Sequence, residues 1–130
     1  MANYPETLRY TKDHEWARVA GNKATIGITL YAKDQLGDVV YLELPEVGAE
    51  IKRGQPFGVV ESTKAVSELF APLTGKVIKV NQELVDAPEG VNESPHERGW
   101  MIEIEISQPD EVPQLLSAVQ YKEILAAEER

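Results

Sequence analysis

The feature that most restricts the fold of this chain is a succession of short apolar runs, each closed by glycine, proline or asparagine. Lys23–Ile28 (KATIGI), Val39–Leu44 (VVYLEL), Phe57–Glu61, Val66–Phe70, Lys76–Val80 and Trp100–Ile106 are each five to seven residues long. Runs of that length, rich in valine and isoleucine, read as strands, because a helix needs a longer apolar period to bury a face. Most of the connections are too short to hold crossover helices, so the strands should pair antiparallel in a barrel or sandwich. In the last run Ile102, Ile104 and Ile106 alternate with Met101, Glu103 and Glu105, which turns the isoleucines to the core and the glutamates to water. Pro45 and Gly48 close the second strand.

Helical signals are few and local. Thr29–Leu36 carries helix formers up to Gly37, a stop signal, and predicts a short helix after the first strand. Asn81 is a good cap, so 81–94 reads as one helical turn followed by a loop. Near the C-terminus Ser117 and Gln120 make a capping-box pattern. Val119, Ile124 and Leu125 suggest an apolar stripe on a helix from Ala118 to about Glu129, with a shorter helical turn bracketed by Pro109 and Pro113. At 130 residues and 42% apolar composition, 1–130 fits one domain, with 109–130 as a helical extension packed on it.

Composition excludes several functions. Thirteen basic against 22 acidic residues give a net charge of −9, which opposes binding to nucleic acid and favours partners with basic faces. With no cysteine there is no disulfide framework, thiolate nucleophile or cysteine-type zinc site. His14 and His96 stand some eighty residues apart without partner ligands at metal-site spacing, so no metal is expected. The N-terminal segment lacks a signal-peptide core and no run reaches membrane-span length. The expectation is a cytoplasmic, bacterial-type monomer that meets no membrane. A mitochondrial matrix location would require removal of a transit peptide, against which Met1 argues.

Lys64 is the residue to explain. It stands in Glu61–Glu68 (ESTKAVSE), between FGVV (Phe57–Val60) and LFAPL (Leu69–Leu73), at the tip of a strand, turn, strand pattern. Gly54 lies ten residues before it and Gly75 eleven after, so the turn falls at the far end of two similar strands. Position alone makes it an ordinary solvated turn lysine. A lysine that receives a prosthetic arm needs the same exposure, together with rigid neighbours and a surface that the attaching enzyme can identify.

The segment ESTKAVSE resembles the lipoyl-lysine site of the glycine cleavage system H protein family. YTKDHEW (Tyr10–Trp16), ATIGIT (Ala24–Thr29), LGDVVYLELPEVG (Leu36–Gly48), APLTGKV (Ala71–Val77) and NESPHERGWM (Asn92–Met101) resemble the family in the same order. At the lysine the chain reads Thr63-Lys64-Ala65, where lipoyl domains of 2-oxoacid dehydrogenases usually read DKA and biotin carriers MKM. The resemblance implies a mainly β fold with short helices, a barrel-sandwich hybrid of the biotinyl/lipoyl-carrier type with a C-terminal helix. It implies lipoic acid in amide linkage on Lys64, with Glu61, Ser62, Thr63, Ala65 and Glu68 recognised at the attachment site.

It further implies a non-catalytic carrier of the aminomethyl group of glycine. The partners would be a pyridoxal-phosphate glycine decarboxylase, a tetrahydrofolate-dependent aminomethyltransferase, a flavin (FAD) dihydrolipoamide dehydrogenase and a lipoyl-attaching enzyme. An absence of cysteine suits such a carrier, since a neighbouring thiolate would exchange with the arm.

Glu15, with Asp13 and Glu68, is a candidate for holding the amine of a loaded arm. The other reading makes Asp13–Trp16 a solvated turn with Trp16 in the core. Trp100 reads as core, and Glu43, Glu46 and Glu50 as a solvated acidic face able to steer the chain towards basic surfaces. Three other functions compete. The chain could relay lipoate to other complexes, or serve as an unmodified interaction module. It could also be a Schiff-base enzyme, which would need Lys64 desolvated in a pocket, against its polar setting.

Overall fold

The computed structural model describes residues 4–128. Nine strands form two sheets among these residues. The larger contains β1 (Arg9–Tyr10), β2 (Glu15–Ala20), β3 (Lys23–Ile28), β9 (Ile102–Ile106), β8 (Gly75–Val80) and β5 (Glu50–Ile51), in that spatial order. The smaller has β6 (Pro56–Ser62) between β4 (Val39–Glu43) and β7 (Val66–Phe70). All the pairings are antiparallel, and the short connections after β1, β2 and β6 join neighbouring strands as hairpins.

The two sheets bury a common core. Ile26, Val77, Ile102 and Ile104 come from the larger sheet and Leu42, Val60 and Leu69 from the smaller, all at most 1% exposed. Each such side chain contributes on the order of 2 kcal/mol by leaving water. In β9 the three isoleucines are buried, Glu105 is exposed and Glu103 is half-buried. Met101 is also buried, because it lies beyond the end of the strand and its N–H donates to the Ile26 carbonyl at 2.8 Å.

A second apolar cluster gathers Tyr10, Trp16, Tyr121, Leu8 and Leu125. Trp16 is fully buried, its Nε1–H donating to the Pro95 carbonyl at 2.9 Å, and it lies flat over Gly27. A methyl group at Gly27 would sit 2.7 Å from the indole ring, so only glycine fits there. Trp100 is half-buried at the edge of this cluster.

Helix α1 (Leu30–Leu36) follows β3 directly, capped by the Thr29 hydroxyl, which accepts from the Ala32 N–H. It stops at Gly37, whose φ of 82° favours glycine. Asn81 caps α2 (Gln82–Asp86) through the Leu84 N–H. The loop expected after it is instead a second short helix, α3 (Glu89–Glu93). Here burial outweighs weak propensity: Val91 is fully buried, and Gly90 lets the helix approach Leu84 closely.

A 3₁₀ helix spans Pro109–Gln114. The C-terminal helix α4 (Ala118–Glu128) opens with a reciprocal capping box: Ser117 N–H donates to Gln120 Oε1, and Gln120 N–H donates to Ser117 Oγ. Its buried face is Ala118, Tyr121 and Leu125. Val119, assigned to that face from sequence, is 61% exposed, because it is turned about 100° from Ala118 around the helix axis. Glu129 lies outside the described residues. No described helix is long and apolar enough to cross a membrane.

Candidate functional site

Strands β6 and β7 form a hairpin whose last pair is Glu61 with Val66. Ser62 builds the turn: its N–H donates to the Ala65 carbonyl at 2.8 Å, and its hydroxyl oxygen accepts from the N–H groups of Ala65 (3.0 Å) and Lys64 (3.3 Å). Short polar side chains form turns by such bonds to their own neighbouring backbone. From outside the hairpin, the Asp38 carbonyl accepts from the Thr63 N–H at 3.0 Å. The tip is therefore held on both sides while Thr63, Lys64 and Ala65 stay exposed. Among the described residues no group bonds the Lys64 amine.

The lysine stem has a path. Its Cε would lie 3.4 Å from a methyl group at Gly37, so the bare backbone at the end of α1 gives the side chain room. Sequence reading identified Gly37 only as a helix stop. Its second use follows from the Thr63–Asp38 bond, which brings two distant segments together.

Beside the hairpin lies a groove of about 170 Å³, between β7, α1 and the start of β2. Asp13, Glu15 and Glu68 all line it, with Tyr31, Ala32 and Leu36 among its apolar walls. Glu15 is only 2% exposed. One carboxyl oxygen is 2.8 Å from the Thr11 hydroxyl and the other accepts from the Phe70 N–H at 3.2 Å. Burial pushes its pKa up to about 8, against the lowering effect of those two hydrogen bonds, and nearby Asp13 adds to the rise. Asp13 and Glu68 are exposed. The turn reading of Asp13–Trp16 also holds in part, since Trp16 is in the core and His14 has a φ of 71°.

Residues that sequence reading did not assign fix the groove wall. The Tyr121 hydroxyl is 2.6 Å from Thr29 Oγ1 and 2.8 Å from His14 Nδ1, and His14 Nε2 is 3.4 Å from Glu128. The C-terminal helix thus ties to the cap of α1. His96 serves the same helix: its Nε2 accepts from the Leu30 N–H at 3.2 Å, and burial, aided by the Arg18 charge, lowers its pKa to about 4, leaving it neutral. Period and cap signals locate these elements, but the hydroxyl and imidazole contacts join positions up to 107 residues apart. No three His, Cys, Asp or Glu side chains gather as a metal site among the described residues. Glu43, Glu46 and Glu50 are exposed, as a solvated acidic face requires.

A barrel-sandwich hybrid that holds a lone free lysine at the tip of a braced hairpin belongs to the biotinyl/lipoyl-carrier class. Residues 8–128 match the family model described as Glycine cleavage H-protein. The chain belongs to that family. It is 59% identical to the glycine cleavage system H protein of Anaeromyxobacter sp. (strain K), with 96% of this chain and 98% of that one covered. It is 54% identical to the H protein of Halalkalibacterium halodurans over 98% of this chain and all of that relative. The crystal structure of a glycine cleavage system H protein from Mycobacterium marinum superimposes with a TM-score of 0.84 at 38% identity, covering 91% of this chain and 95% of that one.

Proposed function

We propose that this chain is a non-catalytic lipoyl carrier of the glycine cleavage system. Lys64 takes lipoic acid in amide linkage. The loaded chain conveys the aminomethyl group of glycine from the pyridoxal-phosphate decarboxylase to the tetrahydrofolate-dependent aminomethyltransferase, and electrons to the FAD-containing dihydrolipoamide dehydrogenase. In this reading it is one carrier domain, with 109–130 as its helical extension. The observation that carries the proposal is the free Lys64 amine on a turn held by Ser62 and Asp38, in a chain of this family.

The residues present fit an attached arm. Lys64 is exposed, Gly37 leaves room beside its stem, and an apolar-walled groove with three carboxyl groups lies next to the hairpin. When bound, the lipoyl group supplies a dithiolane whose S–S bond opens to accept a carbon fragment and electrons, chemistry that no side chain of this chain offers. The protein's part is presentation. Ser62 and Asp38 keep the turn in one shape, the small Thr63 and Ala65 leave the amine open to an enzyme, and Glu61 and Glu68 flank the turn for recognition.

Asp13, Glu15 and Glu68 provide acceptors for an ammonium group lying in the groove. Glu15, buried and lining the groove, can hold a proton there near neutral pH. Transient visits to several enzymes call for fast dissociation, which a net charge of −9 supports through long-range steering rather than tight contact.

The test is glycine-dependent reduction of the lipoyl arm, and its turnover, in a mixture of the lipoylated chain with the three purified enzymes. Turnover that disappears in Lys64→Ala supports the carrier. A lipoylated chain that supports no turnover, yet donates its lipoyl group to other acceptor proteins, would establish the relay role instead.

A further inference from the structure

Five large apolar side chains are exposed among the described residues: Val40, Tyr41, Val47, Val66 and Val119. Two of them, Tyr41 and Val66, share one row beside the hairpin tip. Tyr41 pairs with Glu61 and Glu61 with Val66, so these side chains form one row across the outer face of the small sheet. The register of β4 shifts between Val39 and Tyr41, and its burial pattern shows the consequence. Val39 and Leu42 point inward, while two successive residues, Val40 and Tyr41, both stay out, 55% and 45% exposed. A bulge re-aims side chains in this way. A regular strand would have turned one of them into the core. Val66, at the end of the row, is 68% exposed and only two residues from Lys64.

We propose that this outer row is the docking surface for the enzyme that acylates Lys64, a proposal that rests on the carrier reading above. The lysine stem runs past Gly37, at the end of α1, while Tyr41 and Val66 stay exposed. An enzyme that acylates the amine must bring its own reacting centre to Nζ. Because the lysine stem is short, that enzyme comes to rest on whatever adjoins the turn. Enzymes that act at the far end of a longer arm need not.

The turn itself offers only serine, threonine and alanine, too little apolar area for affinity. The adjoining row supplies an aromatic anchor, Tyr41, and one valine, Val66, across three strands, about 10 Å wide. Glu43 and Glu61 lie on the same face, so the partner presents an apolar centre with basic groups around it. In the reaction served, Nζ forms an amide bond to the carbonyl carbon of an adenylated lipoyl acid. The carbonyl–phosphate bond breaks, the nucleotide monophosphate leaves, and the nitrogen's proton goes to solvent.

The experiment uses the full chain, a purified lipoate-adenylating ligase, lipoate and ATP, with acylation followed by intact mass. In Tyr41→Ser/Val66→Ser the KM for the chain should rise about tenfold or more with kcat retained. Tyr41→Phe, which keeps the ring, and Val119→Ser, equally exposed on α4, should stay within about twofold of wild type. Raised ionic strength should increase the wild-type KM.

Unchanged KM in the double variant, despite a melting temperature near that of wild type, would overturn the proposal. The same holds if acylation is unaffected while glycine-dependent turnover slows or a self-associated species is lost, since the face then has another occupant. A wild-type chain that takes no acyl group overturns the carrier reading and the docking surface together. An acylated wild type with unaffected variants overturns the docking surface alone.

Discussion

The turn and the neighbouring groove each centre on one ionisable side chain, Lys64 and Glu15, and the structure treats the two in opposite ways. At the turn every hydrogen bond goes to the backbone, through Ser62 and Asp38, and the charged group is left in water. At Glu15 the backbone and side-chain donors go to the ionisable group itself, which is withdrawn from water and has its pKa raised to about 8. Rigidity around a free group suits modification by another protein. Burial of a carboxyl group suits holding a proton. The two lie on one short path, because Phe70, the donor to Glu15, ends the strand that returns from the Lys64 turn.

The contrast can be broken most sharply at the lysine. Lys64→Ala should abolish acylation entirely while changing stability by no more than about 0.5 kcal/mol, since nothing packs on the amine. Intact mass and thermal unfolding of the same sample check both halves. A large loss of stability would mean that the lysine is structural.

The opposite pattern is expected at Trp16. Trp16→Ala should cost about 3–5 kcal/mol by denaturant unfolding, because it empties the second core, yet folded protein at low temperature should still be acylated at Lys64. Loss of acylation by fully folded variant would show that the two regions are not independent.

Glu15→Gln sharpens the comparison through pH. The folded chain keeps a proton that the unfolded chain releases above its ordinary pKa of 4.5, until the folded group also ionises near 8. Wild-type stability should therefore fall as pH rises through that window, by up to roughly 1.4 kcal/mol per pH unit from this group. The variant cannot ionise and should lack that part of the slope. Parallel stability curves for the two proteins would mean that Glu15 has no raised pKa. If the groove holds a loaded arm, the same variant should also release ammonia faster from loaded protein, and an unchanged decay rate would remove Glu15 from that role.

The smallest effect is expected at Ser62. Ser62→Ala removes the acceptor for two turn N–H groups, should cost about 1 kcal/mol, and should slow acylation by a few-fold without abolishing it. Unchanged acylation would show that the turn's shape does not matter to the attaching enzyme.

Much of this was legible in the sequence wherever structure depends on near neighbours. The hairpin, the Thr29 and Asn81 caps, the Gly37 stop, the Ser117–Gln120 capping box and the isoleucine face of β9 are all set within a few residues. The helix Glu89–Glu93 was not legible, because it forms by packing Val91 and Gly90 against the rest of the fold rather than by propensity. The exposure of Val119 followed from which face α4 presents to Tyr10 and Trp16, which local pattern could not settle.

The site divides in the same manner. Lys64 and its flanks stand in one contiguous motif, whereas the groove needs Glu15, Tyr31 and Glu68 from three elements, and Tyr121 with His14 from opposite ends of the chain. The bulge that turns Val40 and Tyr41 outward together carries no mark in VVYLEL, where alternation would bury one of them.

The most direct test of the central claim, that this fold exists to present Lys64 for lipoylation, is peptide-level mass spectrometry of the chain after expression with lipoate and a competent ligase. The account predicts one lipoyl increment per chain, on the peptide containing Lys64 and on no other lysine. An unmodified Lys64 under those conditions, or a lipoyl group found on a different lysine, would contradict it.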